Sequence, residues 1–242
     1  MTETQSLTPA TAALEDLSRA RLERMRAAGE EARECERALR KGGLNLVGEV
    51  LRGQGKFIKL NHYPKGDIYD RETHSQYYYH AHRPDEHGHF HTFLRAKGMP
   101  PAARPAPEAD SRDWPSGDKA LAHIVAISMD KKGQPLGLFT TNRWVTGETW
   151  YPAEHVATMI DHFSVDHAYP SWPTNRWVTA ILRLFKPQIV QLLHERDAAL
   201  EARRAAYPDR DVFEDKDFEV LSETGIDIEA QIARLDAALA KR

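Results

Sequence analysis

Five histidines fall within the twelve residues 80–91, HAHRPDEHGHFH, with Asp85 and Glu86 between them. The whole chain holds 12 histidines in 242 residues, so a stretch of this length would carry fewer than one by chance. Near neutral pH imidazole is mostly unprotonated and offers the lone pair that iron, zinc or copper binds. Spacing decides whether the rings can share an ion. Alternate side chains of a strand share a face, so Tyr78, His80 and His82 project together, as do His89 and His91 in the next strand. A hairpin loop of even length, such as Asp85 to Gly88 with Gly88 left-handed, places His80, His82, His89 and His91 on one face. An odd loop, such as Glu86 to Gly88, splits them. Only the even register gathers Tyr77, Tyr79, Ala81, Phe90 and Leu94 into one mainly apolar face, and hydrophobic patterning therefore selects it. Directly opposed Cβ atoms then lie about 4.5–5.5 Å apart, close enough for two or three imidazoles to meet at one ion.

The expected centre is a single divalent ion, iron, zinc or copper, held by three or four of His80, His82, His89 and His91. His123, in LAHIVAISMD, joins them if its strand lies beside the hairpin. Glu86 and His87, in the turn, are candidate ligands or general bases. Tyr78 shares the histidine face and Arg143 follows a strand end, where polar groups often line a pocket, so both are candidate catalytic or substrate contacts. A three-histidine iron or copper centre suits oxygen-dependent, oxidoreductase chemistry, and zinc suits hydrolysis through a bound water. A metal-dependent enzyme acting on an unknown small molecule is expected. A non-catalytic metal-binding or interaction protein is the alternative if no coordination position is open. His62, His74, His155, His162, His167 and His194 each read as partly buried polar residues.

Composition narrows the setting. A formal charge of −3 and a pI near 6.5 provide no concentrated basic surface for nucleic acid or anionic membrane. There is no apolar run of roughly 20 residues and no basic start followed by an apolar core, so a cytoplasmic protein is expected. Cys35 is the lone cysteine, which excludes an internal disulfide, a thiolate zinc cluster and an iron–sulfur site. Any metal must therefore rest on nitrogen and oxygen.

The elements that must position these residues predict an α+β domain spanning 1–242. An antiparallel sheet of about five strands in two hairpins is packed by N- and C-terminal helices. Residues 8–40 form a helix with Met25, Ala28, Ala32, Cys35 and Leu39 on one face, and Lys41 to Gly55 adds a short helical piece. The strands, within 56–145, are KFIKL, THSQYYYHAHR, HFHTFLR, LAHIVAISMD and LGLFTTNRWV, with DKKGQP as a hairpin turn. Residues 152–242 read as helical, with Pro152 in a first turn and Pro187 kinking or restarting a helix. A last helix begins near Asp227 and buries Ile228, Ile232, Leu235 and Leu239. The apolar stripes of the terminal helices also suit a homodimer. The Pro-rich loop 97–118 is a surface insertion or a lid with Trp114 as its apolar contact. TNRWVT occurs twice, at 141–146 and 174–179, and reads as Trp144 and Trp177 anchored in the core beside capping asparagines.

Three resemblances add expectations. HAHRPDE, with His80, His82 and Glu86, resembles the first cupin motif, which implies two histidines and a glutamate binding a divalent ion in a β-barrel. HGHFHTF, with His87, His89 and His91, is similar to the signature of histidine-triad nucleotide hydrolases and transferases, which implies a metal-free reaction with His89 as nucleophile. YYYHAHRPDEHGHFHTFLR followed by ISMDKKGQPLGLFTTNRWVTGETW resembles an uncharacterised bacterial domain family with no assigned function.

Overall fold

Alternation of apolar and polar residues builds one antiparallel sheet, seen in a computed structural model that describes residues 14–242. Its strands are β1 (Tyr63–Tyr69), β2 (Ser75–His80), β3 (Gly88–Arg95), β4 (Leu121–Met129), β5 (Pro135–Thr141) and β6 (Val220–Gly225), lying side by side in chain order. The class is α+β as expected, with six strands among the described residues instead of about five. Two differences have local causes. KFIKL is not a strand, because the Tyr63 hydroxyl donates to the Lys56 carbonyl and accepts from the Ile58 N–H at 2.7 Å, occupying backbone groups that a strand partner would need. The first strand is instead YPKGDIY. The sixth strand, VLSETG, lies inside the stretch read as helical.

Helices cover one face of the sheet. They are α1 (Arg19–Lys41), α2 (Leu46–Leu51), α3 (Arg143–Thr146), α4 (Ala153–Met159), α5 (Trp172–Leu184), α6 (Lys186–Ala206) and α7 (Ile228–Ala240). The start of α1 predicted near Thr8 lies outside the described residues. From Ser18, whose hydroxyl caps it, α1 buries Met25, Ala28, Ala32, Cys35 and Leu39 as its spacing predicts, against α5 and α7. Gly29 permits that approach, since a Cβ there would lie 2.6 Å from Ile232. Pro187 starts a new helix, with α5 ending at Leu184 and α6 beginning at Lys186. Pro152 caps α4 from outside instead of entering its first turn. Asp227 caps α7, which buries Ile228, Ile232 and Leu235 and half-buries Leu239. No helix among the described residues is long and apolar enough to cross a membrane.

The helix-facing side of the sheet presents Tyr77, Tyr79, Phe90, Leu94, Ile127 and Leu138 to a core that includes Trp177, Ile189 and Leu193. The two TNRWVT copies diverge. Trp177 is fully buried and donates to Glu36 at 2.9 Å, whereas Trp144 is half-buried in α3. Asn142 caps α3, and its amide also donates to the Val212 and Phe218 carbonyls, so NRWV turns away from the strand predicted for it. Trp114 tucks the 97–118 loop into a second small cluster with Trp150, Leu200, Val212 and Phe213. The histidines are not part of that cluster.

Candidate metal centre

Strands β2 and β3 pair His80 with His89, Tyr79 with Phe90 and Tyr78 with His91. Eight residues, 81–88, separate the paired His80 and His89, an even number and the parity that hydrophobic patterning selects, although the connection is longer than a four-residue turn. Gly88 differs from its predicted role. It is not among the residues of positive φ and lies inside β3, where a Cβ would sit 2.5 Å from the His80 carbonyl oxygen and 2.7 Å from the Tyr79 ring. Close approach, and not a left-handed turn, requires glycine there. Gly88→Ala should therefore cost about 1–3 kcal/mol, the usual penalty for overpacking. Urea denaturation measures it, and a change under about 0.5 kcal/mol, the size of an ordinary surface substitution, would contradict the assignment.

Four imidazoles converge on the sheet face opposite the helices. One ring nitrogen from each of His80, His82, His89 and His91 lies within 4.8 Å of those from the other three, an arrangement able to hold a metal ion. His82 stands beyond the end of β2, yet its ring centroid is 5.0 Å from His80 and 4.9 Å from His89. Their hydrogen bonds leave Nε2 atoms facing inward. His89 Nδ1 donates to Glu86, whose second oxygen accepts from the Ser128 hydroxyl. His82 Nδ1 is 3.3 Å from Glu219, and His91 Nδ1 is 2.9 Å from His123 Nε2. His80 Nε2 and His89 Nε2 meet at 2.8 Å. Among the described residues, His80 Nδ1, His82 Nε2 and His91 Nε2 are buried with no hydrogen-bond partner. Such orphaned polar atoms are rare in folded proteins and call for a physical reason.

Electrostatics keeps these lone pairs free. Burial, followed by the proximity of His89, His82 and His62, pushes the His80 pKa down to about 2. Burial also drives His91 well below its ordinary value, lowers His82, and brings His123 to about 3. For Glu86, burial works upward, but hydrogen bonds from His89 and Ser128 outweigh it and hold the carboxylate ionised. Neutral imidazoles, one face of the cluster backed by the ionised Glu86, are what an electrophilic ion requires.

The remaining predicted residues divide. His123 reaches the site through a bulge: β3 and β4 pair Thr92 with Val125 but Phe93 with His123. Without that shift His123 would oppose Leu94 on the helix side. It stands behind His91, as Glu86 stands behind His89. Tyr78 packs with its ring 5.2 Å from both His80 and His91, and burial raises its hydroxyl pKa above the ordinary range. His87 is separated from the cluster, stacked on Phe57 at 5.1 Å and bonded to the Tyr79 hydroxyl at 2.9 Å. Arg143 is also remote from it, bound to Glu214 and the Glu148 carbonyl and lying over Trp114.

Four neighbours were not foreseen. Ser128 and Glu219 come from distant segments. His62, read singly as a polar residue, lies flat on Tyr78 with centroids 3.6 Å apart. Arg83 covers Phe139 at 4.3 Å and pairs with Glu223 at 2.8 Å, so the 81–88 connection folds across the site's own face.

With this geometry established, comparison with known proteins places the chain. The family model of a domain of unknown function, DUF6969, matches residues 26–226. The chain belongs to the DUF6969 family. No curated protein and no solved structure matches it. The expected resemblance to an uncharacterised family is therefore what the comparison finds. The other two resemblances are not carried by this DUF6969 member. A cupin site needs a closed barrel, and this sheet is open, with β1 and β6 at its edges. The histidine-triad arrangement needs His87, His89 and His91 in line, and His87 precedes β3 with its ring stacked on Phe57.

Proposed function

We propose that the protein binds one transition-metal ion through His80, His82, His89 and His91. Glu86, Glu219 and His123 orient three of those rings from behind. The observation that carries this reading is a four-histidine group with converging ring nitrogens, in which His82 Nε2 and His91 Nε2 are buried with no hydrogen-bond partner among the described residues. Imidazole donors without thiolate favour zinc, copper or iron over magnesium or calcium. Metal–nitrogen bonds of about 2.0–2.1 Å in tetrahedral geometry set nitrogen separations near 3.3 Å. The His80–His89 pair must open slightly, and the widest pair must close.

Catalytic use by a metal-dependent oxidoreductase or hydrolase needs an open coordination position. His82 is the ligand whose departure would create one, because it sits on a connection instead of a strand and its Nδ1 partner is Glu219. Tyr78, with its ring 5.2 Å from both His80 and His91, is then a side chain placed to serve a bound substrate. Without such an opening the ion would support structure alone.

Elemental analysis of untagged protein tests the reading. About one ion per chain is expected, and no bound metal together with no change in melting temperature on adding zinc, copper or iron would overturn it. Access depends on the connection. In Arg83→Ala, which loses the Glu223 pair and the contact with Phe139, a colorimetric chelator should strip the ion several-fold faster, since local opening limits the exchange of enclosed groups. An unchanged stripping rate would show that 81–88 does not guard the site.

A further inference from the structure

On the same sheet face, beyond the histidines, Arg95 is held by one nitrogen only. Its Nε donates to Gln76 Oε1 at 2.6 Å, and Gln76 Nε2 donates to Asp67 Oδ2 at 2.7 Å. Asp67 Oδ1 in turn lies 3.1 Å from His62 Nδ1. The relay orients the guanidinium and occupies the nearest carboxylate on both oxygens. Among the described residues, neither terminal nitrogen of Arg95 has a hydrogen-bond or ion-pair partner, although the residue is half-buried. It lines a cavity of about 400 Å³ together with Tyr69, Gln76, Asp67, Lys97 and Asp118. Lys97 and Asp118 pair with each other at 3.7 Å on the exposed rim, and the Asp67 carboxylate is engaged by Gln76 and His62, so the Arg95 guanidinium is the cation of the cavity with no carboxylate paired to it.

A planar guanidinium fixed through Nε presents two parallel N–H donors, a fit for two oxygens of a carboxylate or phosphate. We propose that this cavity is an oxyanion site, binding the carboxylate or phosphate group of a small acidic molecule on the free edge of Arg95. Space for the rest of such a molecule adjoins it. A second cavity of about 720 Å³ shares Gly66 and Asp67 with the first and is lined by Lys56, Lys65 and His62. Stacked Tyr78 and Phe93, 5.5 Å apart, separate the oxyanion site from the histidines. Arg95 lies four positions along its strand from His91, and Gln76 four from His80, about 13 Å. The two sites are thus physically distinct.

Calorimetric titration of the full chain, with and without bound zinc, using inorganic phosphate and malonate as probes at low ionic strength, provides the test. One-to-one binding of at least one probe is expected, and the tighter of the two identifies the oxyanion. Arg95→Gln should weaken it about tenfold or more, as for loss of a charged bidentate pair. Arg95→Lys, which keeps the charge but not the fork, should fall between; it carries the test if Arg95→Gln does not melt cooperatively. No binding of either probe at about 10 mM, a concentration that reveals even weak millimolar sites, overturns the proposal. Binding that both substitutions leave unchanged does the same. Because the titrations are run with and without zinc, a failure of the metal site would not alter what they show about Arg95.

Discussion

His89→Ala is expected to abolish metal uptake and to destabilise the metal-free protein by about 3 kcal/mol, the penalty for stranding a buried charged group. His89 is the fully buried centre of the cluster, and it is also the hydrogen-bond donor that faces Glu86. Its removal leaves that carboxylate, itself almost wholly enclosed, with the Ser128 hydroxyl as its remaining partner. Two readouts separate the effects. For wild type, metal at a hundred times its dissociation constant adds about 2.7 kcal/mol, or roughly 5–10 °C in a chain of this size. His89→Ala should show no such shift. His89→Ala combined with Glu86→Gln should recover part of the intrinsic stability but none of the metal response, since neutralising the stranded group does not restore a ligand. His82→Ala should keep a weakened response, because three strand-borne rings remain. An equal metal-induced shift in wild type and His89→Ala would eliminate the four-histidine centre.

The face of the hairpin was legible because it is a period-two pattern with strongly unlike halves. Tyr77, Tyr79, Phe90 and Leu94 enter the main core, and a one-residue slip would have buried imidazoles there instead. What surrounds the histidines was much less legible. His123 joins them only through a bulge, which no spacing in LAHIVAISMD discloses. Glu219 and Glu223 belong to the β6 region, whose helix-facing residues Ser222 and Thr224 are polar and so erase the alternation of a half-buried strand. Ser222 is tolerated there because its hydroxyl bonds to Thr140 and to the Leu192 carbonyl, a compensation visible only when α6 is packed against the sheet. KFIKL shows the converse. Its pattern is strand-like, but its exposed Ile58 and its backbone contacts with Tyr63 reveal an irregular segment. Local periodicity thus located the four converging histidines, and long-range hydrogen bonding determined their supports.

Acidification should unfold the metal-free protein steeply, starting well above the carboxylate range. His80, His82, His91 and His123 all have pKa values depressed by burial, to about 2 for His80 and about 3 for His123. Below their ordinary value of about 6.5, the unfolded chain takes up protons that the folded chain refuses. Stability therefore falls with pH, by at most about 1.4 kcal/mol per pH unit for each histidine. Glu148 opposes this. Burial raises its pKa to about 7, so between about 4.5 and 7 the folded state holds a proton that the unfolded state lacks, and its contribution is lost as pH rises. Glu36, raised chiefly by burial, acts in the same direction, and four histidines against two glutamates leave a net loss on acidification. The carboxylates held below their ordinary values, among them Glu86, Asp70 and Asp215, add acid sensitivity only below about 4.5, so between 6.5 and 4.5 the loss comes from the imidazoles, reduced by the opposing glutamates. Urea denaturation at pH 7.5, 6.5, 5.5 and 4.8 should show a loss of several kcal/mol across that window, and a His80→Asn/His91→Asn variant should flatten the slope. Bound metal should hold the stability up until the ligands protonate and then release it over a narrower range, because each proton that enters must displace the ion. A flat profile from pH 7.5 to 5 would mean that the folded rings accept protons freely, which is incompatible with a buried site of neutral imidazole donors.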